Sequence, residues 1–236
     1  MNDLTYGGKE LTLFAEAANW KKYFGSKIRP FIGKRVVEVG AGIGATTEIL
    51  CDGLQQEWIC LEPDPLLRGE IEARIASRKL PACCSTRAGV VADLEFSQTT
   101  DSFVYIDVLE HIQDDGPELD RAADRLAPGG TLIVLGPAFN FLYSPFDESV
   151  GHYRRYDKLT LQALTPPACR VKSIFYLDCV GMATSLFNKF VLKQPLPNQK
   201  QILFWDRWLV PVSRAADPVV GYKTGRSIVC VWEKVR

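Results

Sequence analysis

The stretch Arg35–Ile49, RVVEVGAGIGATTEI, limits what this chain can fold into more than any other. Arg35 to Val39 is short, largely apolar and β-branched, as a strand buried on both faces should be. It runs into glycines at alternate positions, Gly40, Gly42 and Gly44, and helix-compatible residues resume at Ala45. Strand, glycine turn and helix start in that order predict a parallel α/β unit with a ligand over the turn. Glycine permits φ > 0 and removes Cβ atoms that would hold a ligand off the peptide plane, while the free N–H groups of the helix start point at whatever lies there. Gly40, Gly42 and Ala45 also satisfy the relaxed dinucleotide fingerprint, so the loop alone does not choose among nucleoside cofactors.

At 236 residues the chain suits one α/β domain able to bury a large core. Its 28 basic and 28 acidic residues cancel, which gives no electrostatic footprint for a nucleic-acid backbone. Seven cysteines without C-x-x-C spacing, and only two histidines, predict a reduced, metal-free protein. The N-terminus lacks a basic and apolar leader pattern, and no run of 18 apolar residues occurs, so the expected location is cytoplasmic with no membrane span.

Glu38 stands two residues before Gly40, and Gly44 is one glycine more than a dinucleotide loop needs. The resulting E-x-G-x-G-x-G resembles the first motif of class I S-adenosylmethionine (SAM) dependent methyltransferases. In that family the acidic residue organises the loop through backbone contacts, and the loop, here Gly40-Ala41-Gly42 with Gly44, passes close to the methionine part of the cofactor. WICL, ending in Glu62 and Pro63, reads as the second strand. A carboxylate at that strand end can accept hydrogen bonds from both hydroxyls of a ribose, whichever nucleoside is bound. GVVA at 89–92 is expected as the third strand, and Asp93 with Leu94 just beyond it matches the family position that meets the adenine. Asp93 could equally cap the next turn.

SFVYID at 102–107 is the expected fourth strand, and V-L-E-H-I follows it directly. This closely resembles the corresponding stretch of SAM methyltransferases acting on small molecules. The resemblance implies that Asp107 and Val108 line the cofactor cleft and that His111 faces the transferred methyl. A-P-G-G-T at 127–131 resembles the family's turn into strand 5. Pro137–Tyr156, PAFNFLYSPFDESVGHYRRY, is long for a connection in a compact domain and should leave strand 5 at the ligand edge as substrate wall and lid. Asp147, Arg154, Arg155 and Tyr156 are candidate substrate contacts there. His152 is the other neutral-pH proton carrier. One arginine of the adjacent pair is expected to bind an anionic group and the other to pair with Asp147 or a neighbouring acid.

Residues 1–30 read as a helical cap, which in this family roofs the pocket and would let Tyr23 touch substrate. Residues 180–222 form an apolar, aromatic insert between strands 6 and 7, expected as a pocket wall or a homodimer face, with a membrane-surface helix as a third possibility. The expected architecture is a single domain over 1–236, a Rossmann-like seven-stranded sheet with helices on both faces and strand 7 antiparallel. The implied function is methyl transfer from SAM to an N, O or C nucleophile of a small, anionic metabolite. Two alternatives use the same loop: an NAD-dependent oxidoreductase and a catalytically silent SAM-fold binding protein.

Overall fold

The computed structural model describes residues 9–94, 99–192 and 197–235. The N-terminal pattern forms two helices rather than one, α1 (Lys9–Ala15) and α2 (Ala18–Ile28). Then come β1 (Arg35–Val39), the glycine turn, the single turn α3 (Thr47–Leu50), β2 (Glu57–Leu61) and α4 (Pro65–Ala76). Asp64 starts α4 by accepting the N–H groups of Leu66 and Leu67, and Pro65 supplies the fixed φ of a first helical residue.

β3 is Cys84–Arg87, not the expected GVVA, because Val91–Asp93 winds into a 3-10 turn. As an edge strand paired only with β2, β3 can carry Ser and Arg on its open side, so it lacks the apolar run that marks central strands. β4 (Thr100–Ile106), α5 (Asp115–Asp124) and β5 (Leu126–Pro137) complete the parallel core. The remainder is α6 (Pro145–Ser149), α7 (Lys158–Ala163), β6 (Cys169–Leu177), α8 (Cys179–Phe187), α9 (Gln199–Phe204), α10 (Val210–Val219) and β7 (Ser227–Lys234).

Strand order is β3-β2-β1-β4-β5-β7-β6, with β7 antiparallel to both of its neighbours. Each central strand sends alternate residues to opposite faces, so the sheet has two cores. Val104, Ile133, Leu135, Val229 and Val231 pack under α2 and the insert. Phe103, Tyr105, Leu132, Val134 and Trp232 pack under α5 and α7.

Three buried acids fasten the insert across the top of the first core. The Asp206 carboxylate accepts the N–H groups of Asn19 (3.2 Å) and Trp20 (2.8 Å), capping α2 from 186 residues away, where the local N-cap position is Ala17. Asp217 accepts from Tyr23 Oη at 2.7 Å and from the N–H groups of Asp178 and Cys179. Asp178 caps α8 at Gly181 and also accepts from Trp205 Nε1 and Ser213 Oγ. The cap and insert are thus one polar-pinned roof.

Candidate active site at the glycine turn

The roof and the sheet enclose a cavity of about 790 Å³, the size of a cofactor site with room for a second molecule. Its floor is the end of β1 with Gly40-Ala41-Gly42 and the end of β4 with Asp107. Gly40, Gly42 and Gly44 have φ of 63°, 57° and 76°, the left-handed conformation their residue type permits. The turn hangs from β2: the N–H groups of Gly40 and Ala41 both donate to Leu61 O. Val108 packs against Gly40 so closely that a Cβ there would lie 2.7 Å from Val108 Cγ2, and Leu11 of α1 lies over Gly42.

Glu38 is buried and holds the turn differently from the backbone contacts expected. Thr47 Oγ1 (2.6 Å) and Trp58 Nε1 (2.9 Å) both donate to its Oε2. Burial, opposed by those two hydrogen bonds, raises its pKa to about 7. Glu62 accepts from Gly42 N at 2.8 Å and Asp64 N at 3.0 Å, so it braces the turn from behind, and burial raises its pKa. Both of its oxygens keep a lone pair, but the carboxylate is not among the cavity's lining groups. Pro63 follows it with its carbonyl accepting from Arg68. Asp93 takes the capping role, accepting from Val90 N at 2.9 Å, and Leu94 is buried in the second core.

Asp107 has φ 53°, a left-handed conformation that costs a non-glycine residue roughly 1–2 kcal/mol and here aims the side chain into the cavity. Protein surrounds it while much of its own surface faces the cavity, and its pKa rises to about 6, by burial opposed by the charges of His152, Arg226 and Lys21. Glu110, fully buried and cavity-lining, has no hydrogen-bond partner on either side-chain oxygen. Burial and the neighbouring Asp107 charge push its pKa well up, opposed by the charge of Arg155.

The fold brings the chain's two histidines together. Their rings are 4.6 Å apart and nearly perpendicular, and both line the cavity. His111 is held to a pKa of about 4 by burial and by His152, so it is neutral at physiological pH. His152 Nδ1 lies 2.8 Å from Asp147 Oδ1, and its Nε2 lies 3.8 Å from Glu110 Oε1. Burial opposes the charge of Asp147, but hydrogen bonds from His152 and Arg155 hold its pKa down to about 2. An ionised carboxylate accepts only, so His152 Nδ1 carries the proton, and a ring with that one proton keeps its lone pair on Nε2.

Asp147, expected at the substrate, is instead fully buried behind His152. Its oxygens accept from Ser144 N and Oγ and from Arg155 Nε and Nη2 as well as His152. Arg155 lines the cavity with its fork committed to that carboxylate. Arg154 turns outward to Asp115 (2.7 Å) and Gln113 O. Adjacent residues in an extended segment face opposite ways, and each arginine found an acid on its own side. Tyr23 is consumed in the Asp217 bond, and Tyr156 Oη donates to Leu109 O and Asp115, so neither lines the cavity.

The structure also brings in Glu110 and Lys21 of α2, which sequence reasoning had not placed at the site, and the insert side chains Thr184, Phe187, Phe204 and Trp205, from the segment expected as a pocket wall or a dimer face. Lys21 staples the end of α1 through the carbonyls of Phe14 and Ala15, and burial lowers its pKa to about 8. Among the described residues, two groupings have ligand atoms close enough for an ion, Cys51/Cys83/Cys84 and Glu110/His111/His152, although no sequence spacing marks either.

Residues 37–134 match the Methyltransf_11 family, described as a methyltransferase domain. A curated relative, the ubiquinone biosynthesis O-methyltransferase of Nitrobacter winogradskyi, is 28% identical over 103 residues, 43% of this chain and 38% of the relative. The chain thus matches less than two fifths of that protein's length. Among solved structures, geranyl diphosphate methyltransferase in complex with SAM has a TM-score of 0.63 at 12% identity, covering 99% of this chain and 93% of that one. A chain of the complex between the Haloferax volcanii Trm112 methyltransferase activator and a methyltransferase has a TM-score of 0.66 at 16% identity, covering 98% and 95%. At such identities these structures speak for the fold, and the antiparallel β7 beside β5 is where that fold departs from a dinucleotide-binding domain. Glycine turn, acid-braced loop, V-L-E-H-I segment and family match coincide within 37–134, so this part of the chain is similar to a methyltransferase domain.

Proposed function

We propose that the protein transfers the methyl group of SAM to a hydroxyl or amine whose proton is taken by His152. The observation that carries this reading is the Asp147–His152 pair, which holds the proton on Nδ1 of a cavity-lining ring and leaves Nε2 as the nitrogen that can accept one. SAM brings its methyl already activated, so the protein has to hold two reactants in line, exclude water and remove one proton. Glu38, Gly40, Gly42 and Asp107 are the groups available to the cofactor, with Glu62 acting through the loop it braces. Neutral His111 packs against His152, and the buried Glu110 carboxyl lines the cavity beside them.

The rest of the lining favours a largely apolar acceptor. Phe14, Phe24, Leu142, Phe146 and Phe187 face the cavity, while Arg155 and Arg226 are already paired with Asp147 and Asp178. An anionic acceptor would have to share those two arginines or reach Lys21 or Lys200, so the arginine pair does not by itself support one. The test is single-turnover transfer by His152→Ala and Asp147→Asn. A general base contributes on the order of 10²–10⁴ in rate, so both variants should lose more than tenfold while calorimetry shows SAM affinity retained. Wild-type rates in both would remove His152 from the chemistry.

A further inference from the structure

The exposed apolar side chains of this protein are concentrated on the insert. α9, the π-helical turn Trp205–Leu209 and α10 run as one continuous helix from 199 to 219. Ile202, Trp205, Asp206, Val210, Ser213 and Asp217 form its buried face. The opposite face recurs every four residues as Lys200, Phe204, Trp208 and Val212, with Leu203, Arg207 and Pro211 beside them. Phe204 is 58% exposed, Trp208 59% and Val212 52%, and Phe190, just beyond α8, is 68% exposed. Side chains that large rarely stand together in water unless something covers them.

Charge identifies the cover. Residues 179–223 contain six basic residues, Lys189, Lys193, Lys200, Arg207, Arg214 and Lys223, and two acids, Asp206 and Asp217. Both acids are buried as anchors of the roof. Among the described residues the insert's own surface charge is therefore entirely positive in a chain whose net charge is zero, with Glu16, just after α1, accepting from Gln199 at one end. A helix face of Phe, Trp, Leu and Val flanked by Lys and Arg is the signature of an element lying in the interface of an anionic bilayer. A self-association face would need acids to meet those cations, and the insert offers none at its surface.

We propose that the face formed by Phe187, Phe190 and the exposed side of the 199–219 helix docks this protein on anionic lipid bilayers. Phe187, Lys200 and Phe204 belong both to this exposed face and to the cavity lining, so docking turns the cavity mouth toward the lipid phase. The proposal concerns the surface and stands apart from the methyl-transfer reading, since no step of chemistry is needed to test it.

The experiment is flotation of the full chain with vesicles of phosphatidylcholine alone and of equimolar phosphatidylglycerol and phosphatidylcholine. The expected result is co-flotation with the anionic vesicles only, weakened by salt, with a blue shift of tryptophan emission that Trp208→Ser diminishes. Arg207→Glu with Arg214→Glu should lower partitioning about tenfold or more, each basic residue near an anionic surface being worth several-fold. These three residues do not line the cavity, so retained SAM affinity shows that the variants are folded. Absence of binding to anionic vesicles at low salt overturns the proposal. So does unchanged binding by both variants, or a dimer in sedimentation that Trp208→Ser splits, which would make the face a self-association surface.

Discussion

Replacing Asp147 with alanine would remove the acceptor of the Ser144 N–H and hydroxyl, the Arg155 fork and the His152 ring together. Asp147 is 0% exposed and Arg155 7%, so the truncation would strand a buried guanidinium. Breaking a buried pair in that way costs about 3–5 kcal/mol. The carboxyl group gives a second, smaller figure: a pKa held at about 2 instead of 3.8 corresponds to roughly 2–3 kcal/mol at 1.36 kcal/mol per unit. It is smaller because it counts the charge of Asp147 and not the cation left behind. The sign follows from linkage. The folded pKa lies below the unfolded one, so the contribution is complete above about pH 4 and is lost as pH falls towards 2. Urea unfolding of wild type and Asp147→Ala at pH 7 and pH 3 measures both. The account expects a loss of about 3–5 kcal/mol at pH 7, a smaller one at pH 3, and substantial recovery in Asp147→Leu with Arg155→Met, where neither partner is left charged. A loss below about 1 kcal/mol at pH 7 would show that the pair is not the support of the 137–156 segment argued above.

Gly42→Val places a β-branched side chain at φ 57° against Leu11, and SAM binding by calorimetry should disappear; retained affinity would refute the loop assignment. Glu62→Ala strands the N–H groups of Gly42 and Asp64, each costing about 1–3 kcal/mol, and should lower both the melting temperature and SAM affinity. His111 has a folded pKa of about 4 against an ordinary 6.5, so the unfolded chain takes its proton first. Stability should therefore fall as pH drops from about 6.5 towards 4, and urea midpoints of His111→Phe should show a shallower dependence over that window.

The parts of the fold that were legible are those whose signal is local. β1, β4, β5 and β7 are apolar runs buried on both faces, and the glycines declare their turn by residue type alone. β3 was misplaced because an edge strand of Cys-Ser-Thr-Arg needs no apolar pattern, whereas GVVA has one and is used in a 3-10 turn. The site was legible in its residues more than in their roles. His111 and His152 could be named, but their ring contact depends on where the 137–156 segment returns to the sheet, at the Ala138–Tyr156 bridge. That one arginine of the pair meets Asp147 was legible, but which one, and that Arg154 also meets an acid in Asp115, was not, because a charged residue carries no mark of its partner many positions away. Asp206 capping α2, and Asp217 taking the hydroxyl of Tyr23, are pairings across more than 180 residues that no window of sequence contains.

The central claim is that this cavity passes a methyl group from SAM to an acceptor. The direct measurement is transfer of label from methyl-tritiated SAM into a fractionated cell extract by wild type, Gly42→Val and His152→Ala. The account predicts that wild type labels an extractable acceptor, that Gly42→Val labels nothing, and that His152→Ala binds SAM but transfers more than tenfold more slowly. Tight SAM binding with no labelled product in any fraction would contradict it and leave a cofactor-binding protein. Binding of NADH in place of SAM would contradict the cofactor assignment itself.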